Sequence, residues 1–128
     1  MNRKGFALVM VAGSMMLGGI RAFAHDMPGE TGGEKELRGE VVDVVCYLSH
    51  PDQGLGKGHA DCAKKCILGG LPVAIKVGDQ LYLASMADHT PANKALAEFA
   101  GQQVEVHGTV MERDGQHLIA ISKVEKVQ

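Results

Sequence analysis

Every cysteine of the chain lies between Cys46 and Cys66, and the same stretch carries His50 and His59. Thiolate and imidazole are the donors that hold Zn(II) and Cu(I) strongly, and a tetrahedral Cys3His centre draws on both. Cys46, Cys62, Cys66 and His59 are therefore the expected metal ligands, with His50 as the alternative imidazole. Residues 61–68 read as a two-turn helix, with Asp61 as N-cap and Gly69-Gly70 as the stop. Cys62 and Cys66, at i and i+4, then share one face. Cys46 arrives from the end of a preceding strand, and His59 sits just before the helix. The helix start, with Lys64 and Lys65 adding a positive field, favours the Cys62 thiolate and marks it as the most reactive sulfur.

Two other uses of the same sulfurs stay open. A bridge from Cys46 to Cys62 or Cys66 would staple the segment to the rest of the domain, contributing on the order of 3 kcal/mol. Any such pair leaves one thiol over. Cys62 with Cys66 is a third pairing, strained in a regular helix but usable by a thiol redox protein. The chain has no Cys-x-x-Cys for a thioredoxin-like pair and no Cys-x-x-Cys-His for covalent haem. It also lacks Gly-x-Ser-x-Gly, a phosphate loop and His-Glu-x-x-His, so nothing positive points to a hydrolase or a nucleotide enzyme. Catalysis is not needed to account for these residues.

The Cys62-x-x-x-Cys66 spacing resembles that of exported copper-handling proteins, the cytochrome oxidase assembly and dinuclear copper types. The likeness covers those five residues only. Gly70 stands where the dinuclear pattern has a His, and the assembly proteins use a thioredoxin fold that the elements below do not build.

Those elements follow from apolar periodicity. Residues 36–47 carry Val41-Val42 and Val44-Val45 around Asp43, which suits a strand partly buried on both faces, with Gly39 as a bulge or bend. Residues 71–77 alternate Val73, Ile75 and Val77 inward; Gly78-Asp79 turns the chain, and Leu81 and Leu83 continue the inward face. Thr90 as N-cap and Pro91 in the first turn open a helix with Ala92, Ala95, Leu96, Phe99 and Ala100 on one side and Gly101 as terminator. Residues 103–111 place Val104, Val106, Gly108 and Val110 inward, and Arg113-Asp114-Gly115 leads to a last strand over 117–127.

Strand, long insertion, strand, strand, helix, strand, strand is the order of the five-stranded Greek-key barrel called the OB-fold. The expected class is all-β with short helices. The cysteine-bearing insertion lies between strands 1 and 2, and the helix lies between strands 3 and 4. A small open α+β sheet is the alternative. Val41-Val42-Asp43 with Cys46-Tyr47, then Cys62-Ala63 to Cys66-Ile67, Gly69-Gly70-Leu71-Pro72 and Pro91-Ala92-Asn93-Lys94, resemble a family of small exported bacterial OB-fold proteins with this insertion. The resemblance spans residues 37–127 and implies fold and compartment without an activity.

Length and composition set the frame. The 128 residues, 45% apolar and 22% charged, make one domain's worth of globular sequence. Residues 1–24 combine Arg3 and Lys4, an apolar stretch over 6–20 too short to span a bilayer, and Ala22-Phe23-Ala24. They read as a signal peptide, followed by a polar flexible arm over 25–36 and the barrel domain over 37–128. No membrane anchor is expected after cleavage, and the location is periplasmic or secreted. Losing Arg3, Lys4 and Arg21 takes the basic count from 13 to 10 against 15 acidic side chains, a charge of −5 with His neutral. Lys64-Lys65 is the one basic pair left, so nucleic acid is a poor partner. The expected partner is a metal ion or a metal-handling protein, and the runner-up is a disulfide-stapled module for a protein or cell-envelope ligand.

Lesser candidates are assigned structural places. His25, the new N-terminus, could chelate Cu(II) but reads as a free end. His107 and His117 are expected outward near the ends of the second hairpin, where they could face each other, and His89 on a loop. Tyr47 is expected to pack at the strand end. Asp43 reads as a solvent-facing or turn-bonding carboxylate, and Met86 and Met111 as fillers.

Overall fold

The computed structural model describes residues 33–127. The signal-peptide expectation, His25 and most of the arm lie outside them. Among the described residues no helix is long and apolar enough to cross a membrane. Five strands close into a barrel: β1 (Glu34–Asp43), β2 (Val73–Val77), β3 (Gln80–Met86), β4 (Gln103–Arg113) and β5 (Gln116–Lys126). The order around it is β1-β2-β3-β5-β4, with β1 closing on β4. All pairs are antiparallel except β3 with β5. This is the all-β, OB-fold-like barrel expected from the element order. The open α+β sheet is excluded by the closure.

Strand β1 serves two neighbours. Its first part, Glu34 to Glu40, pairs with β4, and its last, Glu40 to Asp43, pairs with β2. Gly39 stands at the changeover, and a Cβ there would run into the Lys76 carbonyl and the Ile75 side chain. Glycine is required by close approach. The strand starts at Glu34, inside the stretch expected to be arm, because residues 34–36 find β4 partners in His107, Gly108 and Thr109.

The far end of β1 differs from expectation. Val44, Val45, Cys46 and Tyr47 are not strand; they open α1 (Val44–Ser49). Asp43 causes the change: its Oδ1 accepts from the Val45 N–H at 2.9 Å and the Cys46 N–H at 3.5 Å, a helix N-cap that outweighs the β-preference of two valines. The Val44 N–H donates to the Pro72 carbonyl at 3.0 Å, so the ladder ends without an orphan.

Helix α2 (Ala60–Leu68) matches the expected two turns closely. Its N-cap position is His59, with no side-chain cap bond, and Asp61 lies in the first turn instead. Gly70, at φ 96°, closes the C-terminus, and the Leu71 N–H returns to the Cys66 carbonyl at 3.1 Å. Ala63 and Ile67 are buried in the core from this helix.

Between β3 and β4 lies α3 (Asn93–Leu96), which tightens into a 3-10 turn at Ala97–Phe99. It is shorter than expected. Thr90 and Pro91 precede the helix: Pro91 bridges to Ser85, and the Thr90 hydroxyl donates to Asp88 at 2.6 Å. Leu96, Ala97 and Ala100 close the barrel end against Val41, Ile75, Val104, Val106, Ile119 and Ile121.

The first hairpin also corrects an assignment. Ile75 pairs with Tyr82 and Val77 with Gln80 across the two-residue Gly78-Asp79 turn. Cross-strand partners share a face, so Tyr82, Ala84 and Met86 pack on the core, while Leu81 and Leu83 lie on the outer face with Lys76 and Ala74. The second hairpin has the expected inward set, turning at Asp114-Gly115, both with positive φ. A register shift at His107/Gly108 coils it, and a Cβ on Gly108 would collide with the Ala120 carbonyl.

Candidate metal centre

Two short helices bring the sulfurs together. Cys46, third residue of α1, is half-buried; Cys62 is exposed in the first turn of α2, and Cys66 is half-buried one turn on. Each helix is fixed independently of the thiols. Helix α1 is held by the Asp43 cap, and its C-terminal Cys46 carbonyl accepts from the His50 N–H at 2.8 Å. Helix α2 is held by Ile67 in the core and by Asn93, whose Nδ2 donates to the Ile67 carbonyl at 2.7 Å and the Leu71 carbonyl at 2.8 Å. The loop between them is tied down by a bond from the Gly56 N–H to the Glu40 carboxylate. Gly54 rests against the Tyr47 backbone, where a Cβ would not fit.

The result is a sulfur cluster. The three Sγ atoms lie within 4.8 Å of one another. Tetrahedral zinc with bonds of about 2.3 Å sets its sulfur neighbours roughly 3.8 Å apart, so small rotamer adjustments suffice to close the set on an ion. All three cysteines are free thiols, without a disulfide among the described residues. Cys46, Cys62 and Cys66 are thus close together and could bind a metal.

His59 does not join that group. Its ring nitrogen gathers with Cys46 and with Asp43, the three donor atoms within 4.8 Å of one another. His50, at the C-cap of α1, is exposed and belongs to neither group. Cys46 is the shared member.

Asp43, expected as a solvent-facing or turn-bonding carboxylate, is a member of this second group. It bonds a turn, as expected, but has no solvent exposure and is the one buried charged residue among those described. With Oδ1 committed to the α1 amides, Oδ2 has no hydrogen bond of normal geometry, and neither has the buried Nε2 of His59. Cys46 and Cys66 both lie under the influence of the Asp43 carboxylate. That influence keeps protons on sulfur. The Cys46 thiol is pushed up to about 12, first by hydrogen bonding to Asp43, then by burial and by the Asp43 charge. Burial pushes Cys66 up, and the same carboxylate adds to it. An Asp ending a valine-rich strand three residues before a Cys was the available signal, since that spacing is the N-cap pattern.

The remaining candidates fall elsewhere. Lys64 is turned to Glu98, Nζ to carboxylate 2.9 Å, and is not dedicated to the thiols. Tyr47 lies under the Lys76 ammonium, 5.7 Å from ring centroid to Nζ. His107 and His117 do not face each other: His107 pairs with Lys123 and approaches Glu105 at 3.3 Å, while His117 packs against Tyr82 and approaches Glu112 at 3.4 Å. Glu36, Glu105 and His107 form a third donor group on the outside of β1 and β4, but the Arg38 guanidinium bridges both carboxylates. A bound cation there would have to displace it. His89 is exposed in a turn at φ 65°, and Met86 packs on the core.

No protein-family model matches the chain, and no curated protein or solved structure matches it either. The chemistry therefore rests on the geometry of these side chains.

Proposed function

We propose that the chain is a small exported binding protein that holds a soft metal ion, zinc or copper(I), on Cys46, Cys62 and Cys66 for storage, delivery or sensing. The observation that carries this reading is the convergence of all three sulfurs from two helices pinned by caps and core contacts. Thiolates select zinc and copper(I) over oxygen-seeking ions, and ligands placed on rigid elements lose little freedom on binding.

The exposure gradient favours delivery over permanent structural use. Cys62 is exposed while Cys46 and Cys66 are half-buried. A partner thiolate can enter at the Cys62 side and replace the protein's donors one at a time, so that the ion is never free. The partner in this account is a metal-handling protein, and the leader-like composition of residues 1–24 supports an exported location.

The test is a thiol count on fully reduced protein, with native mass spectrometry alongside. Three cysteines should react with a disulfide reagent in the metal-free form, and all three should be protected after addition of zinc or copper(I). Three thiols that stay reactive, with no mass gain, overturn the proposal. Two thiols lost to a permanent bridge without metal uptake establish the stapled module in its place. A Cys62–Cys66 bridge that opens and closes under mild reductant establishes the redox protein.

A further inference from the structure

The second donor group is adjacent to the first and shares a sulfur with it. Asp43 Oδ2 and His59 Nε2 are both buried, and both lack a hydrogen bond of normal geometry among the described residues. A buried carboxylate oxygen and a buried ring nitrogen left without partners cost stability. One carboxylate oxygen of Asp43, one ring nitrogen of His59 and Cys46 Sγ lie within 4.8 Å of one another. Neither group is needed elsewhere: Asp43 caps α1 through its other oxygen, and His59 makes no side-chain cap bond to α2.

We propose that the site takes two divalent ions of the zinc class: one on Cys46, Cys62 and Cys66, and a second on Asp43, His59 and the Cys46 thiolate, which bridges them. This deepens the thiol-site reading and rests on it. Charge argues for the pair. Three thiolates and one carboxylate carry four negative charges, which two divalent ions cancel. A single divalent ion leaves two uncompensated and copper(I) leaves three, around an Asp43 that has no solvent contact. The donor sets agree. Oxygen, nitrogen and sulfur together suit zinc, whereas copper(I) has little use for a carboxylate. Binding requires only that protons leave the thiols for solvent; no oxidant or reductant takes part.

Reduced, metal-free protein is titrated with zinc alone and weighed by native mass spectrometry. Two ions per chain are expected, falling to one in His59→Ala and in Asp43→Asn, the latter keeping an N-cap side chain so that α1 survives. One ion in the unaltered chain overturns the two-ion site and leaves the thiol reading standing; none overturns both. Two ions persisting in His59→Ala would place the second one elsewhere and overturn this assignment. Cobalt(II) tests the bridge. The electron paramagnetic resonance signal of the first ion should weaken as the second equivalent binds, through coupling across the Cys46 sulfur. Two additive, undiminished signals would overturn a shared thiolate.

Discussion

Asp43 has two roles: its Oδ1 ends β1 and starts α1, and its carboxylate raises the neighbouring Cys46 and Cys66 thiols. The two roles separate by substitution. Asp43→Ala loses the cap and should cost about 1 kcal/mol or more in denaturant unfolding. Asp43→Asn keeps a capping oxygen but loses the carboxylate whose hydrogen bonding and charge hold the proton on Cys46, so the thiolate fraction at pH 8 should rise. Since each unit of pKa is tenfold in ionised fraction, Cys46 alkylation in the metal-free protein should speed up at least ~10-fold, read by mass spectrometry, with Cys62 little changed. An unchanged rate would detach Asp43 from the thiols. The sign for stability follows from the same contact. Cys46 is raised in the folded state from 9.0 to about 12, so its contribution is complete below pH ~9 and is lost as pH climbs to ~12. Metal-free protein should lose melting temperature across that window, and Cys46→Ser should flatten the loss. The cysteines were legible in the sequence because their residue type announces itself. Asp43 was not, since a carboxylate between valine pairs looks alike whether it faces water or is sealed beneath a helix.

At the scale of elements, the centre depends on how the insertion is docked to the barrel. Ile67 drives α2 into the core, and Ile67→Ala should cost roughly 2–5 kcal/mol. Gly101 is the other contact: at φ 69° a Cβ there would meet the Gly56 carbonyl and the Ala60 side chain, the turn that carries His59. Gly101→Ala should therefore destabilise the fold by about 1–3 kcal/mol and, in zinc titration, weaken the second ion more than the first. Equal weakening would mean that the turn does not position His59 separately. Helix α2 is legible in Asp61 at its start and the Gly69-Gly70 stop, since both signals are local, although Asp61 lies in the first turn and not at the cap. Strand β1 stops four residues short of its expected end: Val44 and Val45 favour a strand, and only the Asp43 cap with the Pro72 carbonyl decides otherwise. Leu81 and Leu83 lie on the face opposite to the expected one, because parity across a two-residue turn places Tyr82, not its leucine neighbours, opposite Ile75.

The barrel as a whole was visible in the order of its elements, which leaves β3 beside β5 in parallel and β1 free to close on β4. Closure removes the sheet edges and leaves the chain ends of β1 and β2 to hold the insertion rigidly. Metal occupancy should then stabilise the entire domain by mass action. At free zinc one hundred times its dissociation constant the gain is about 2.7 kcal/mol, seen as a rise in melting temperature that a chelator reverses. The most direct measurement is X-ray absorption at the zinc edge of reduced protein loaded with one equivalent. A shell of three sulfur neighbours near ~2.3 Å is expected, reduced by one in Cys62→Ser. A spectrum with only nitrogen and oxygen neighbours near ~2.0–2.1 Å would contradict a thiol-held metal.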